Sequence, residues 1–448
     1  MSVDPRPGHV TSGPPTSTPA HGTRLDPWLG SYADRAHGMR ASEIRALFAV
    51  ANRPEVVSLA GGMPYLRSLP LESLAAEAAG LVAEDGLVAL QYGSGQGIVE
   101  LREQICQVMS LEGIKAHPDD VMVTVGSQMA LDLTTRIFID PGDVILAEAP
   151  SYVGALGTFH SYQAQVVHVA MDDDGLIPEA LVAAIEACRA AGRPVKLLYT
   201  IPNFHNPAGV TMADARRTEI ADICRRADIA ILEDNPYGLL GFDDRVRRAI
   251  RADDADNVIY LGSFSKTFAP GLRVGWVLAP HAVREKLVLA NEAATLNPPV
   301  FNQMLISRYL ATFDWQSQIK AYRQTYAERR DTMLAALADR MPEGTTWTSP
   351  DGGFYVWVTL PEGFDASAML PRAVTARVAY VPGNAFYADG LGTRQLRLSY
   401  CFPTPERITE GIRRLSGVIA GELEVMRTFG TSPARAIAGP SSPAPDTA

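Results

Sequence analysis

The stretch "YLGSFSKTFAPGLRVGWVLAP", residues 260–280, decides the fold. An apolar run ends in Ser263, Ser265 and Lys266, a Pro270-Gly271 pair turns the chain, and a second apolar run begins just after Arg273. Neither run alternates. Nearly continuous apolarity marks strands covered on both faces, the habit of a mostly parallel sheet clad in helices. Five more runs share the texture: "VMVTV" (121–125), "VILAEA" (144–149), "VVHVAM" (166–171), "VKLLYTI" (195–201) and "IAILED" (229–234). Between them lie segments such as "DARRTEIADICRRA" (214–227), with apolar residues at helical spacing. The centre of the chain is therefore predicted to be α/β. After about residue 300 come long charged helical stretches, then "GGFYVWVTL", "AYVPG" and "LRLSY", as in a smaller α+β domain. The expected layout is a large domain over 61–300 and a small one over 301–430. The segment 25–60, with "ASEIRALFAVA" as a helix, is expected to pack on the small domain.

The bulk numbers fit a large globular core: 448 residues, 47% of them hydrophobic. A formal net charge of −10 argues against general attraction to nucleic acid or anionic membrane, leaving small molecules or copies of the chain itself as partners. Cys106, Cys188, Cys224 and Cys401 lie far apart in no zinc-binding pattern, which fits a reducing cytoplasm. Residues 1–24 and 431–448, rich in Pro, Ser, Thr and Gly, read as disordered tails without a secretory h-region. No apolar stretch approaches the roughly 20 residues that span a bilayer.

In open α/β sheets ligands gather beyond the carboxyl ends of the strands, and those positions here are rich in polar groups. "VMVTV" is followed by Gly126-Ser127-Gln128 opening a helix, whose free N–H groups suit a phosphate. "VILAEA" leads to Tyr152, "VKLLYTI" to "PNFHNPAG" with Asn206, and "IAILED" ends at Asp234 with Tyr237 close behind. Each piece alone has an ordinary reading. A Gly-Ser turn is most often a cap, "NPAG" a turn, a strand-end Asp a salt-bridge partner, and a lysine beside an apolar run a side chain snorkelling to water. Together, a phosphate cradle, an aromatic ring, an amide, a carboxylate and a lysine match the needs of an aromatic aldehyde that carries a phosphate.

The motifs "SFSKTFAPGLRVGW", "NFHNPAG", "EDNPYG", "TVGSQMALDL", "LQYGSGQG" and "LRLSY" resemble those of fold-type I pyridoxal-phosphate-dependent aminotransferases of class I/II. The resemblance covers roughly residues 40–425 and is closest to the branch with 2-aminoadipate and kynurenine aminotransferases and the aminotransferase-like half of MocR regulators. It implies an α/β fold with a mostly parallel central sheet and pyridoxal 5′-phosphate as cofactor. By resemblance Lys266 is the Schiff-base lysine and proton shuttle, Asp234 pairs with the pyridine nitrogen, Tyr237 and Asn206 hold the ring O3′, and Tyr152 stacks on the ring. Ser127, Gln128, Ser263, Ser265 and Arg273 hold the phosphate. Arg397 clamps the substrate α-carboxylate, with exposed Arg394 as the competing candidate and Gly62 offering close backbone approach. Tyr92 reaches the cofactor phosphate of a neighbouring subunit, which implies a homodimer with shared sites, and Arg45 stands where a distal substrate carboxylate would be met. "AGGMPYLRSLP" departs from the family pattern at Tyr65 and Arg67.

The expected activity is transfer of an amino group between an L-amino acid and a 2-oxo acid, with 2-oxoglutarate as acceptor, in a ping-pong cycle. Elimination, replacement, decarboxylation or carbon–carbon bond formation with the same cofactor is the alternative enzymatic outcome. A MocR-type ligand-sensing regulator would need a winged-helix domain, and the ~40 residues ahead of the pattern are fewer than such a domain takes.

Overall fold

The computed structural model of the protein describes residues 26–37 and 53–429. The predicted helix "ASEIRALFAVA" with Arg45, and both predicted tails, lie outside the described residues. Residues 26–37 belong to a small unit of their own, with a 3-10 turn at Leu29–Ser31 and a short helix at Asp34–His37. Everything from residue 53 to 429 belongs to a second unit.

In chain order the strands of that second unit are β1 (Val57–Ser58), β2 (Val121–Thr124), β3 (Val144–Ala149), β4 (Gln165–Asp172), β5 (Gly175–Leu176), β6 (Val195–Thr200) and β7 (Ala230–Asp234). They continue as β8 (Val258–Ser263), β9 (Gly275–Leu278), β10 (Thr346–Trp347), β11 (Tyr355–Thr359), β12 (Val378–Ala379), β13 (Val381–Pro382) and β14 (Gln395–Ser399). Eight of them form the main sheet in the order β2-β9-β8-β7-β6-β3-β4-β5. The pairs β3–β4, β3–β6, β6–β7 and β7–β8 are parallel, so the sheet is mostly parallel as its continuous apolar runs predict. β9 is antiparallel to both β2 and β8, and at the far edge the short β5 is antiparallel to β4. The residues of β9 look like those of its neighbours. The reason lies in the connection: a parallel return needs a crossover of a dozen or more residues, usually a helix, whereas the chain here turns back through Pro270–Leu272.

The helices Ser127–Phe138, Val153–Ser161 and His281–Thr295 cover one face of this sheet, burying Leu131, Leu133, Phe159 and Leu287 against Ile145, Tyr199, Leu232 and Val277. Pro178–Ala190 and Asp214–Arg226 cover the other, with Leu181, Ile185, Ile220 and Cys224 against Leu146, Leu198 and Ile231. Each such aliphatic side chain contributes about 1.5–3 kcal/mol by leaving water.

A second, antiparallel sheet runs β10-β11-β14-β13, and β1 pairs in parallel with β12 beside it. The long helices Trp315–Arg340 and Pro405–Phe429 pack on each other near this sheet. Asp314 caps the first, its carboxylate accepting from the Ser317 N–H at 3.1 Å. Among the described residues no helix is long and apolar enough to cross a membrane.

Candidate active site

β2 runs into Gly126, whose φ of 72° lies in the left-handed region, and the helix Ser127–Phe138 starts at once. A Cβ on Gly126 would come within 2.5 Å of Arg273 Nη2, so glycine serves both the backbone angle and the approach of the guanidinium. The first-turn N–H groups of Ser127 and Gln128 have no intrahelical acceptors. The Gln128 side chain is occupied elsewhere, its Nε2 donating to Thr158 Oγ1 at 2.8 Å and Gly154 O at 3.3 Å. Its backbone N–H is therefore the part suited to an anion. Ser263 at the end of β8 accepts from the Ser265 N–H at 3.0 Å. Arg273 closes the cradle from the start of the returning strand, with Nη2 donating to Val125 O at 3.3 Å.

Asp234 ends β7, deep in the cavity. One carboxylate oxygen accepts from Tyr199 Oη at 2.8 Å, while the other is buried without a hydrogen-bond partner. Burial pushes this carboxyl up to about 6, against the opposing pull of the Tyr199 hydroxyl and the Lys266 ammonium. A buried carboxylate with one oxygen unsatisfied suits an N–H donor, such as a protonated ring nitrogen. Lys266 donates from Nζ to Gly62 O at 3.0 Å, and a Cβ on Gly62 would collide with Tyr355 Oη. Tyr152 flanks the space, its phenol pushed up to about 12 by burial. The Tyr237 phenol is likewise raised, first by burial and then by Tyr355.

Arg397 comes from β14, where Leu396 and Leu398 occupy the alternate face and all three are buried. Nη1 donates to Asn206 Oδ1 at 2.8 Å and Nη2 to Ala60 O at 2.7 Å. Because a guanidinium only donates, the Asn206 oxygen must face it, which turns the Asn206 NH₂ the other way. The guanidinium lies 4.1 Å from the Tyr355 ring centroid and 5.0 Å from that of Phe386. It is only 2% exposed, its Nε has no partner, and its contacts among the described residues are neutral. A buried cation so placed favours an incoming anion.

One cavity of about 450 Å³ brings these groups together. Lys266, Asp234, Tyr152, Tyr237 and Asn206 line it, as do Ser127, Gln128, Ser263, Ser265 and Arg273, together with Gly62 and Arg397. Tyr92 stands apart, 77% exposed, and Arg394 and Arg67 are exposed outside the cavity. Arg45 lies outside the described residues.

Sequence reasoning missed three groups. Tyr199 holds Asp234 from β6; a tyrosine inside a strand buried on both faces must find a polar partner, which was the available signal. Tyr355 walls the cavity and stacks on Arg397. Glu148, buried at the end of β3, accepts from Thr200 Oγ1 and the Ile201 N–H, both at 2.8 Å, and lies 3.1 Å from His205 Nε2. His205 Nδ1 accepts from the Ala208 N–H at 3.3 Å, so this pair braces the loop that presents Asn206.

The family model described as aminotransferase class I and II matches residues 54–415. An aromatic-amino-acid aminotransferase of Thermococcus litoralis is 41% identical over 88% of this chain and 95% of its own length. The structure of a kynurenine aminotransferase from Pyrococcus horikoshii superposes with a TM-score of 0.84 at 39% identity, over 88% of this chain and 97% of that one. The α-aminoadipate aminotransferase of Thermus thermophilus, solved with N-(5′-phosphopyridoxyl)-L-leucine, gives 0.82 at 34% identity, over 89% and 99%.

Proposed function

The chain belongs to the aminotransferase class I and II family, and from that premise we propose which residues carry its reaction and which amino acids it takes. It is a pyridoxal-phosphate-dependent aminotransferase with a fold-type I architecture. When bound, the cofactor supplies an aldehyde that takes up the substrate amine and a ring that delocalises the electron pair left by the departing α-proton.

In our reading Asp234 keeps a proton on the ring nitrogen, because its unpartnered oxygen needs a donor and its buried charge needs a cation. Ser127, the Gln128 backbone, Ser263, Ser265 and Arg273 take the phosphate at the helix N-terminus. Tyr237 and the outward-turned Asn206 NH₂ hold the ring hydroxyl, and Tyr152 covers the ring face. Lys266 Nζ would hold the cofactor through its aldehyde and, once free, would carry the α-proton, first as general base and then as general acid, from the substrate α-carbon to the cofactor. Gly62 O, 3.0 Å from Nζ, holds the amine when it is free of the cofactor. Arg397 receives the α-carboxylate.

The observation that carries the substrate reading is the charge content of the cavity. Its charged side chains among the described residues are Asp234, Lys266, Arg273 and Arg397, and each has a place toward the cofactor or the α-carboxylate. The rest of the lining carries no charge, and Met63, Pro64 and Val153 are among its apolar members, which favours aromatic and large apolar amino donors. Similarity to an aromatic-amino-acid and a kynurenine aminotransferase supports the same class. We propose 2-oxoglutarate as acceptor in a ping-pong cycle, with Arg45 meeting its distal carboxylate. We further read the protein as a cytoplasmic homodimer in which Tyr92 serves the neighbouring site, with a large domain over 61–300 and a small one over 301–430.

The test is a screen of single amino acids against the cofactor-loaded enzyme without acceptor. One equivalent of 2-oxo acid released from phenylalanine or tyrosine, faster than from aspartate, is the expected result. Faster release from aspartate would overturn the donor class, and loss of CO₂ or ammonia in its place would overturn transamination.

A further inference from the structure

We propose that Tyr65 is a positioning residue: through its stack on Arg329 it fixes the Met63–Pro64 wall and so sets the preference for bulky over small amino donors. This rests on reading the cavity as the amino-acid site. The wall belongs to a segment without helix or strand, residues 59–70, in which Gly62 O accepts from the Lys266 ammonium. Such a segment does not hold its own shape, and other elements hold this one.

Four of its contacts tie residues 63–68 to other elements. Met63 O accepts from the Cys401 thiol at 3.1 Å. The Tyr65 N–H donates to Tyr326 Oη at 2.9 Å, and Ser68 Oγ accepts from Gln318 Nε2 at 3.0 Å. The fourth is the Arg329 guanidinium, 4.4 Å from the centroid of the Tyr65 ring. Arg329 is 4% exposed and donates to Cys401 O, and among the described residues no carboxylate forms a salt bridge with it. A desolvated cation–π contact is worth more than an exposed one, up to 2 kcal/mol or more, because water no longer competes for the cation.

The route from this stack to the chemistry is short. Cys401 stands just beyond the end of β14, which carries Arg397, and it touches both Arg329 and Met63. The side-chain wall and the carboxylate clamp therefore share one frame, and Tyr65 locks the free end of the wall onto it. A donor held at Arg397 and Lys266 meets Met63 and Pro64 only if its side chain is long enough. On this reading phenylalanine would reach the wall and alanine would not.

The test compares the full-length, cofactor-loaded wild type with Tyr65→Phe and Tyr65→Ala, measuring single-turnover 2-oxo acid release from phenylalanine and from alanine. Expected for Tyr65→Ala is an about tenfold fall in kcat/KM for phenylalanine, with alanine changed by less than about twofold. Tyr65→Phe, which keeps the ring face, should retain the wild-type ratio of the two donors. An unchanged ratio in Tyr65→Ala, or an equal fall for both donors, overturns the proposal. So does a Tyr65→Phe enzyme as impaired as Tyr65→Ala, since the hydroxyl rather than the ring would then matter. If Tyr65→Ala does not load cofactor, Tyr65→Leu fills the space without offering a ring and should show the same fall. A wild type that releases nothing from either donor overturns the substrate reading itself, a result separate from any behaviour of the variants.

Discussion

Arg397 Nη1 donates to Asn206 Oδ1 at 2.8 Å, joining β14 of the small sheet to the loop that leaves β6 of the main sheet. The same guanidinium is the proposed clamp for the substrate carboxylate, so it orients the Asn206 amide proposed to face the cofactor and the substrate at once. Arg397→Ala should raise KM for the amino donor and the 2-oxo acid by roughly 10²-fold, the scale of losing a charge-assisted bidentate contact. Steady-state kinetics with each substrate varied in turn checks this. Unchanged KM values would move the carboxylate site to Arg394.

Lys266→Ala should lose the visible absorption of the lysine-held cofactor and about 10³-fold or more of turnover, the scale of removing a general base that is also the covalent anchor. Cofactor should still bind through Asp234 and Arg273, as equilibrium dialysis would record. Turnover within tenfold of wild type would show that another group moves the proton.

Asp234 gives a pH prediction with a definite sign. Its carboxyl titrates near 6 in the folded, cofactor-free protein against an ordinary 3.8, because burial disfavours the charge. The stability it contributes is full below the ordinary value and is lost as pH rises through about 6. Asp234→Asn escapes that loss. In cofactor-free protein the stability of Asp234→Asn relative to wild type should climb between pH 4.5 and 7.5 by about 2 kcal/mol, read as a rise in its relative melting temperature. With cofactor bound the order should reverse, because only the carboxylate pairs with a ring cation. Parallel melting curves across pH would refute the burial argument.

Glu112 behaves likewise in a higher window. It accepts from Tyr260 Oη at 2.6 Å and Asn235 Nδ2 at 2.7 Å, and burial still pushes it up to about 7. The stability it lends is lost as pH climbs toward and through 7. The melting temperature of Glu112→Gln relative to wild type should keep rising from pH 6 to 8, after the Asp234 effect has levelled off. Scanning fluorimetry at closely spaced pH separates the two.

Gly126→Ala should weaken cofactor binding by at least about tenfold, since a left-handed backbone costs an alanine 1–2 kcal/mol and its methyl meets Arg273. Titration with pyridoxal phosphate measures it directly. Wild-type affinity would mean that the cradle yields without cost.

The strands of the main sheet were legible because continuous apolar runs bounded by polar residues have few other readings, and the observed ends fall within a residue of the sequence estimate. The direction of β9 was not legible in its own residues, since direction belongs to the connection and not to the strand. In the site, residues at strand ends announced themselves by being polar where the pattern was apolar. Tyr199 and Glu148 did not, because each lies inside a run and acts on a partner 35 or 52 residues away, a relation that only the register of the sheet creates. Tyr355 is similar: its role comes from the guanidinium it faces.

The hairpin of β8 and β9 sets an order of assembly. Ser263, Ser265, Lys266 and Arg273 share one antiparallel reversal, in which Ser263 pairs with Gly275. Arg397 meets Asn206 only across 191 residues of chain. Local contacts close before distant ones, because a long loop must surrender more entropy before its ends reward it. On a growing chain Ser263, Ser265 and Arg273 can thus come together before Arg397 reaches Asn206, while Ser127 and Gln128 join them only through the long-range pairing of β2 with β9.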